Sequence, residues 1–155
     1  MSSRPKSEFR FSIVVVAHNS RGTLPACLDS VESVSAKTPG KVETLVVDNA
    51  SRDGTGEWLK NRPRVQAILN AENLGFSRAC NQGARAARGE YLVFLNPDAC
   101  LNPGVLERMV AAFSDPRVGA VGPVSNYVAG LQRLDLHWPK NAERPTSAMR
   151  FPSGE

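Results

Sequence analysis

Four short apolar runs in this chain each deliver a cluster of amide or carboxylate side chains: His18 and Asn19, then Asp48 and Asn49, then Asn70 and Asn73, then Asn96 and Asp98. Such groups hydrogen-bond hydroxyls, N–H groups and phosphates, and a carboxylate oxygen is a hard ligand suited to Mg²⁺ or Mn²⁺. Asn and Asp also favour turns, and any single cluster is accounted for in that way. Four in succession point to a polar ligand site. Asp98 comes shortly after an apolar strand, a common place for a metal ligand, although Asn96-Pro97-Asp98 alone reads equally as a turn. The first strand is not followed by GxGxxG, and neither GxxxxGK[ST] nor GxSxG occurs, which disfavours a dinucleotide fold, a P-loop NTPase and a hydrolase elbow.

Elements must bring these clusters together. Phe11 to Ala17 is a β-branched run, the pattern of a strand buried on both faces. Leu24, Cys27, Leu28, Val31 and Val34 recur at helical spacing within Thr23 to Ser35, and Pro25 suits the first turn. Further strands are expected over Glu43–Val47, Val65–Leu69, Tyr91–Leu95 and Val118–Val121. A short helix is expected near Gly56 to Asn61. Another carries Phe76, Ala79, Cys80, Gly83, Ala84 and Ala87 on one face, and a last runs from Asn102-Pro103 to about Phe113. Alternating strands and helices make an α/β fold with a mainly parallel sheet. In such sheets ligands bind beyond the carboxyl ends of the strands, where the strand order reverses, and every polar cluster falls there. The apolar run Tyr91 to Leu95 is expected at the centre of the sheet.

Composition bounds the class. The 155 residues are 41% hydrophobic and 22% charged, with a net charge of +4, ordinary for one globular domain. The basic residues are scattered, so no nucleic-acid surface is indicated. Arg78, Arg85 and Arg88 read as one solvated helix face. Cys27, Cys80 and Cys100 form no CxxC pair and read as small buried hydrophobes. Met1 to Arg10 is a polar tail without a secretory h-region, and no apolar run approaches a membrane span, so a cytoplasmic setting is expected.

Val46-Val47-Asp48-Asn49-Ala50-Ser51-Arg52-Asp53-Gly54-Thr55 resembles the second-strand motif of the family 2 glycosyltransferases of the GT-A fold. Asn73-Leu74-Gly75-Phe76 through Asn81-Gln82-Gly83, and Ala87-Arg88-Gly89-Glu90 through Leu95-Asn96-Pro97-Asp98, resemble its next two blocks in order and spacing. Ser12 to Asn19 resembles its first strand. The resemblance covers about residues 11–124, and the Asn-Pro-Asp form is most similar to the rhamnosyltransferase-like subgroup that builds cell-surface polysaccharide.

The resemblance implies a GT-A-type, Rossmann-like, mostly parallel sheet with helices on both faces, and inverting transfer of a sugar from a nucleotide-diphosphate-sugar donor to a sugar or lipid-linked acceptor. Ala17 and Asn19 would line the base and ribose pocket. Asp48 would hydrogen-bond the base. Asn73 and Gly75 would shape the wall near the ribose and diphosphate, with Gly75 allowing close backbone approach, and Asn81 would support the same loop. Asp98 would ligate Mg²⁺ or Mn²⁺. The family motif is usually Asp-X-Asp, and here the first position is the neutral Asn96. The domain reading is a flexible tail over 1–10, a nucleotide-sugar-binding domain over 11–124 and the incomplete start of an acceptor-side region over 125–155. No catalytic base is matched: Asp135, Glu143 and Glu155 follow the motifs without one of their own, and His137-Trp138 is a candidate acceptor platform. The alternative is a non-catalytic nucleotide-sugar-binding module. Peripheral association with a membrane is expected only through the acceptor.

Overall fold

The short apolar runs form strands and helices form the crossovers between them. The computed structural model describes residues 7–123. Within them β1 (Phe11–Ala17), β2 (Val42–Asp48), β3 (Val65–Leu69) and β4 (Tyr91–Leu95) make one four-stranded sheet in the order β3-β2-β1-β4. Every pairing is parallel. The register aligns Ala17 with Asp48, and Asp48 with Leu69, while Leu95 stands opposite Val15. The strands therefore end together, and the loops that leave them share one edge.

Parallel neighbours need long crossovers. α1 (Leu24–Ser35) joins β1 to β2, α2 (Thr55–Lys60) joins β2 to β3, and α3 (Phe76–Ala86) joins β3 to β4. The first two connections step outward from β1, whereas the third returns past it. With right-handed crossovers, α1 and α2 cover one face and α3 the other. Burial agrees: Val14 faces α3, and Ile13 and Val15 on the opposite face are fully buried. α3 lies so close to the sheet that a Cβ at Gly83 would come within 2.3 Å of Val14 Cγ1. α1 buries the five positions that its period marks, Leu24, Cys27, Leu28, Val31 and Val34.

The chain divides into two units, Met1–Gly104 and Val105–Glu155. The described part of the second holds α4 (Val105–Ala111) and a 3₁₀ turn over Ala112–Ser114. No helix among the described residues is long and apolar enough to cross a membrane.

Several expectations change. β4 is apolar enough for a central strand, yet it ends the described sheet, and Leu92 and Phe94 are 42% and 51% exposed. Val118–Val121 forms no strand, since Gly119 interrupts the apolar run and no described strand pairs with it. α4 begins at Val105 rather than at Pro103, because Gly104 takes a φ of +75° that a helix cannot include. Phe9 and Arg10, placed in the tail, are already fastened: the Glu90 N–H donates to the Phe9 carbonyl and the Arg10 N–H to the Lys41 carbonyl. The acceptor-side region 125–155, with Asp135, His137, Trp138, Glu143 and Glu155, lies outside the described residues, as does the start of the tail.

Candidate functional site

β1 and β4 flank the point at which strand order reverses, and the loops beyond them open into a crevice with two lobes. One lobe, of about 500 Å³, is lined by Val16, His18, Asn49, Asn73, Asn96 and Asp98 among others. The other, of about 580 Å³, is lined by Asp48, Ala50, Ser51, Arg52, Asn70 and Glu72 among others. His18, Asn19 and Asn73 belong to both. Five of the expected residues, Asn19, Asp48, Asn73, Asn96 and Asp98, thus line one crevice.

The lobes are held by side chains that bond the loops to each other. Asn19 sits in the left-handed region at φ +51°. Its N–H donates to Ser51 Oγ at 2.8 Å, and its Oδ1 accepts the Arg52 N–H at 2.8 Å. Asn19 is therefore committed to joining the first loop to the second. His18 Nδ1 lies 2.9 Å from the Asn49 carbonyl, which only accepts, so this nitrogen carries the proton. Nε2 then accepts from Asn19 Nδ2 at 3.3 Å, and the tautomer fits both neighbours. Ala50 has a φ of +63°, a conformation that costs a side-chain-bearing residue roughly 1–2 kcal/mol. Its neighbours hold it there: Asn49 N–H donates to the Ala17 carbonyl, and Ser51 Oγ donates to Asp48 Oδ1.

Asp48 is 4% exposed. Its Oδ1 serves Ser51, and its Oδ2 lies against Gly56 in the first turn of α2, where an added Cβ would come within 2.7 Å. Only the edge of this carboxylate reaches the lobe. Asp53 ties the same loops from outside. It accepts the Arg21 N–H at 2.8 Å and the Thr55 hydroxyl at 2.6 Å, and these bonds, the hydroxyl first, hold its carboxyl below the usual range.

A chain of amides braces the third loop. Asn49 Nδ2 donates to Asn73 Oδ1 at 2.7 Å, and Asn49 Oδ1 accepts from Asn70 Nδ2 and the Leu74 N–H. Asn70 and Gln82 exchange two bonds, at 2.8 and 2.9 Å. Gly75, at φ +81° and ψ +160°, turns the chain into α3, and its N–H donates to Asn73 Oδ1.

The Asn96-Pro97-Asp98 loop is fastened to α1. Cys27 Sγ donates to the Asn96 carbonyl at 3.5 Å, Ser30 Oγ accepts the Leu101 N–H at 2.9 Å, and the same hydroxyl donates to the Cys27 carbonyl. Burial, with smaller contributions from Cys100 and Asp98, pushes the Cys27 thiol up to about 12. Asp98 supplies one carboxylate to its lobe and Asn96 a neutral amide. No group of three His, Cys, Asp or Glu among the described residues is placed to hold a metal. This donor set is too sparse to cage a cation, but it fits Mg²⁺ or Mn²⁺ shared with a phosphate ligand, as such ions commonly bind through one or two carboxylates and phosphate oxygens.

Three expected residues stand elsewhere. Ala17 is fully buried, because alternation along β1 turns its side chain into the core and leaves Val16 and His18 at the crevice. Asn81 is exposed and lines neither lobe. It lies two residues, about 200° of helix, beyond the buried Ala79, so it faces away from the sheet, and Gln82 makes the supporting bonds instead. Gly75 lines neither lobe, and a Cβ there would meet nothing within 4 Å, so its φ rather than close approach demands glycine. Arg88 leaves the helix altogether and pairs with Glu43 at the opposite end of the sheet.

Asn49 and Asn70, read in the sequence only as members of the polar clusters, and Gln82, Ser51, Asp53, Cys27 and Ser30, given no site role there, all shape the crevice. Asp53 with Thr55 two positions on carries a local turn signal. The amide pair Asn70–Gln82 and the Cys27 bond join residues far apart in the chain, which no local spacing marks.

The sequence profile described as glycosyl transferase family 2 matches residues 12–152. A succinoglycan biosynthesis protein, ExoO, from Rhizobium meliloti is 36% identical over 101 residues, covering 64% of this chain and 28% of that protein. An N-acetylglucosaminyl-diphospho-decaprenol L-rhamnosyltransferase from Mycobacterium tuberculosis is 32% identical over 105 residues, covering 59% and 34%. The solved mannosyltransferase of Pyrobaculum calidifontis, in complex with GDP-Man and Mn²⁺, superposes with a TM-score of 0.65 at 28% identity, covering 77% of this chain and 36% of that one. The chain spans about a third of the length of the curated relatives it matches. With its parallel sheet, its crevice at the strand-order reversal and a family profile covering nearly all of its length, the chain belongs to glycosyl transferase family 2.

Proposed function

We propose that this crevice binds a nucleotide-diphosphate-sugar and that the protein transfers the sugar, with inversion, to a hydroxyl of a sugar or lipid-linked acceptor during cell-surface polysaccharide synthesis. One observation carries the reading: the loops after all four strands, bearing Asp48 in one lobe and Asp98 in the other, line a single crevice beyond the strand ends. The mannosyltransferase complex and the mycobacterial rhamnosyltransferase support it by their own ligands and names.

The buried Asp48, oriented by Ser51, presents an acceptor edge to a base N–H in its lobe. Asn19 and Asn73, already bonded within the protein, hold the walls apart for the ribose and diphosphate. Asp98 and Asn96 would hold the divalent cation, and that ion supplies charge stabilisation for the leaving diphosphate. In transfer the acceptor oxygen bonds to the anomeric carbon, the bond to the diphosphate oxygen breaks with its electron pair, and the acceptor proton passes to a base. No described residue is assigned as that base. A lipid-linked acceptor would bring the protein to a membrane surface.

Calorimetry of UDP and GDP with and without Mn²⁺ tests the reading. Asp48→Ala should weaken binding by roughly 1.5–3 kcal/mol, the worth of a charged hydrogen bond, without unfolding the domain. Unchanged affinity in the variant would refute the role of Asp48, and no binding to the parent would refute the site.

A further inference from the structure

The Asp98 lobe has an aromatic wall. Phe76 lines it beside Asn73, Asn96 and Asp98, and is 60% exposed, more than Leu69, Leu92 or Phe94. A phenylalanine on the stripe of α3 that carries Ala79 and Gly83 belongs in the core. It is absent from the core because it is the first residue of the helix, and because the turn before it is fixed. Gly75 holds φ +81° and ψ +160°, a region open to little but glycine. The Gly75 N–H is bound by Asn73 Oδ1 at 2.9 Å, and the same oxygen takes a bond from Asn49 at 2.7 Å. The Gly75 carbonyl accepts the Ala79 N–H at 3.2 Å. The ring is thus set into the crevice by the same amides that brace its walls.

We propose that Phe76 is a sugar platform that takes the C–H face of the donor pyranose and sets which donor the crevice accepts, an inference that rests on the nucleotide-sugar reading above. A pyranose carries an apolar face of C–H bonds, and the face of an aromatic ring is negatively polarised, so the two stack. The lobes separate this role from base stacking. Phe76 is absent from the lobe that holds Asp48 and present in the one that holds Asp98. A donor with its base at Asp48 and its diphosphate at Asp98 carries its sugar on the far side of the phosphates, within that second lobe.

The test compares GDP with GDP-mannose, and UDP with UDP-N-acetylglucosamine, by calorimetry with Mn²⁺ in the parent, in Phe76→Ala and in Phe76→Leu, which keeps apolar bulk without a ring face. Thermal midpoints check that each variant folds. In the pair the parent binds, the affinity of the nucleotide-sugar relative to its diphosphate should fall about tenfold in both variants, with diphosphate affinity held within roughly twofold. A ratio unchanged in either folded variant overturns the platform and leaves the donor site standing. Diphosphate and nucleotide-sugar weakening in step also overturn it, as they mark a structural role. A parent that binds none of the four ligands overturns the donor site and the platform together.

Discussion

Asp98 and Cys27 show how much a single side chain depends on its setting. Asp98 faces its lobe with no second carboxylate in the motif, so a cation has little to hold it until a diphosphate adds oxygens. Nucleoside diphosphate and Mn²⁺ should therefore bind with positive coupling. Asp98→Asn should abolish that coupling and leave base recognition intact, as measured by nucleotide affinity across a Mn²⁺ titration; an identical metal dependence in the variant would show Asp98 to be a turn residue only. Cys27 lies directly behind this loop, bonded to the Asn96 carbonyl, its thiol raised to about 12 by burial. It should resist alkylation at pH 8, while the exposed Cys100 reacts. Mass mapping of the modified peptides reads this, and rapid labelling of Cys27 in folded protein would mean that α1 does not hold the Asn96 loop as described. Asp48 and Asp98 were legible from their place after apolar runs and from the family resemblance. Gln82 was not, because its partner Asn70 lies on another element and only the packing of α3 brings them together.

Between elements, the end of the sheet away from the crevice is closed by one ionic cluster. Glu43 of β2, 8% exposed, accepts the Ser12 hydroxyl from β1 at 2.5 Å, the Arg88 N–H at 2.5 Å and the Arg88 guanidinium at 2.9 and 3.0 Å. Burial raises its pKa, but the Ser12 hydroxyl and the Arg88 backbone and side chain together outweigh that and leave the carboxyl below its ordinary 4.5. A depressed carboxylate adds stability that is complete above its unfolded value and is lost as pH falls through the folded one. Glu43→Gln should lower stability at pH 7 by roughly 1–3 kcal/mol and flatten the loss of stability below about pH 4.5, the ordinary value from which the folded group is depressed. Denaturant melts from pH 7 to pH 3 check this; parallel profiles for parent and variant would remove Glu43 from the account. The strands were legible because short apolar runs bounded by turn residues mark buried strands, and β3 and β4 fall where that pattern puts them. The position of β4 in the sheet was not, since an apolar strand looks the same at the edge of a described sheet as at its centre.

At the scale of the molecule, the order β3-β2-β1-β4 sets a sequence in time as well as in space. β1 meets β2 across about 31 residues of chain, as Phe11 to Val42, but meets β4 across 80, as Phe11 to Tyr91. Closing the longer loop carries the larger entropic cost, and it is repaid only by contacts made after closure. On a ribosome the first three strands emerge long before Tyr91 does, and Val14 has no α3 to cover it until Gly83 is made. We expect β4 to dock after the transition state. Val93→Ala should then speed unfolding while hardly slowing refolding, giving a φ-value near 0, whereas Val46→Ala in β2 should slow refolding. Chevron plots of the two variants decide this, and a high φ-value at Val93 would reverse the order. A nascent chain arrested between β3 and β4 would hold Asp48 in place and lack Asp98 altogether. On the proposed reading, the lobe for the base would exist before the lobe for the phosphates, and a nucleoside would rescue slow folders earlier than a metal ion could.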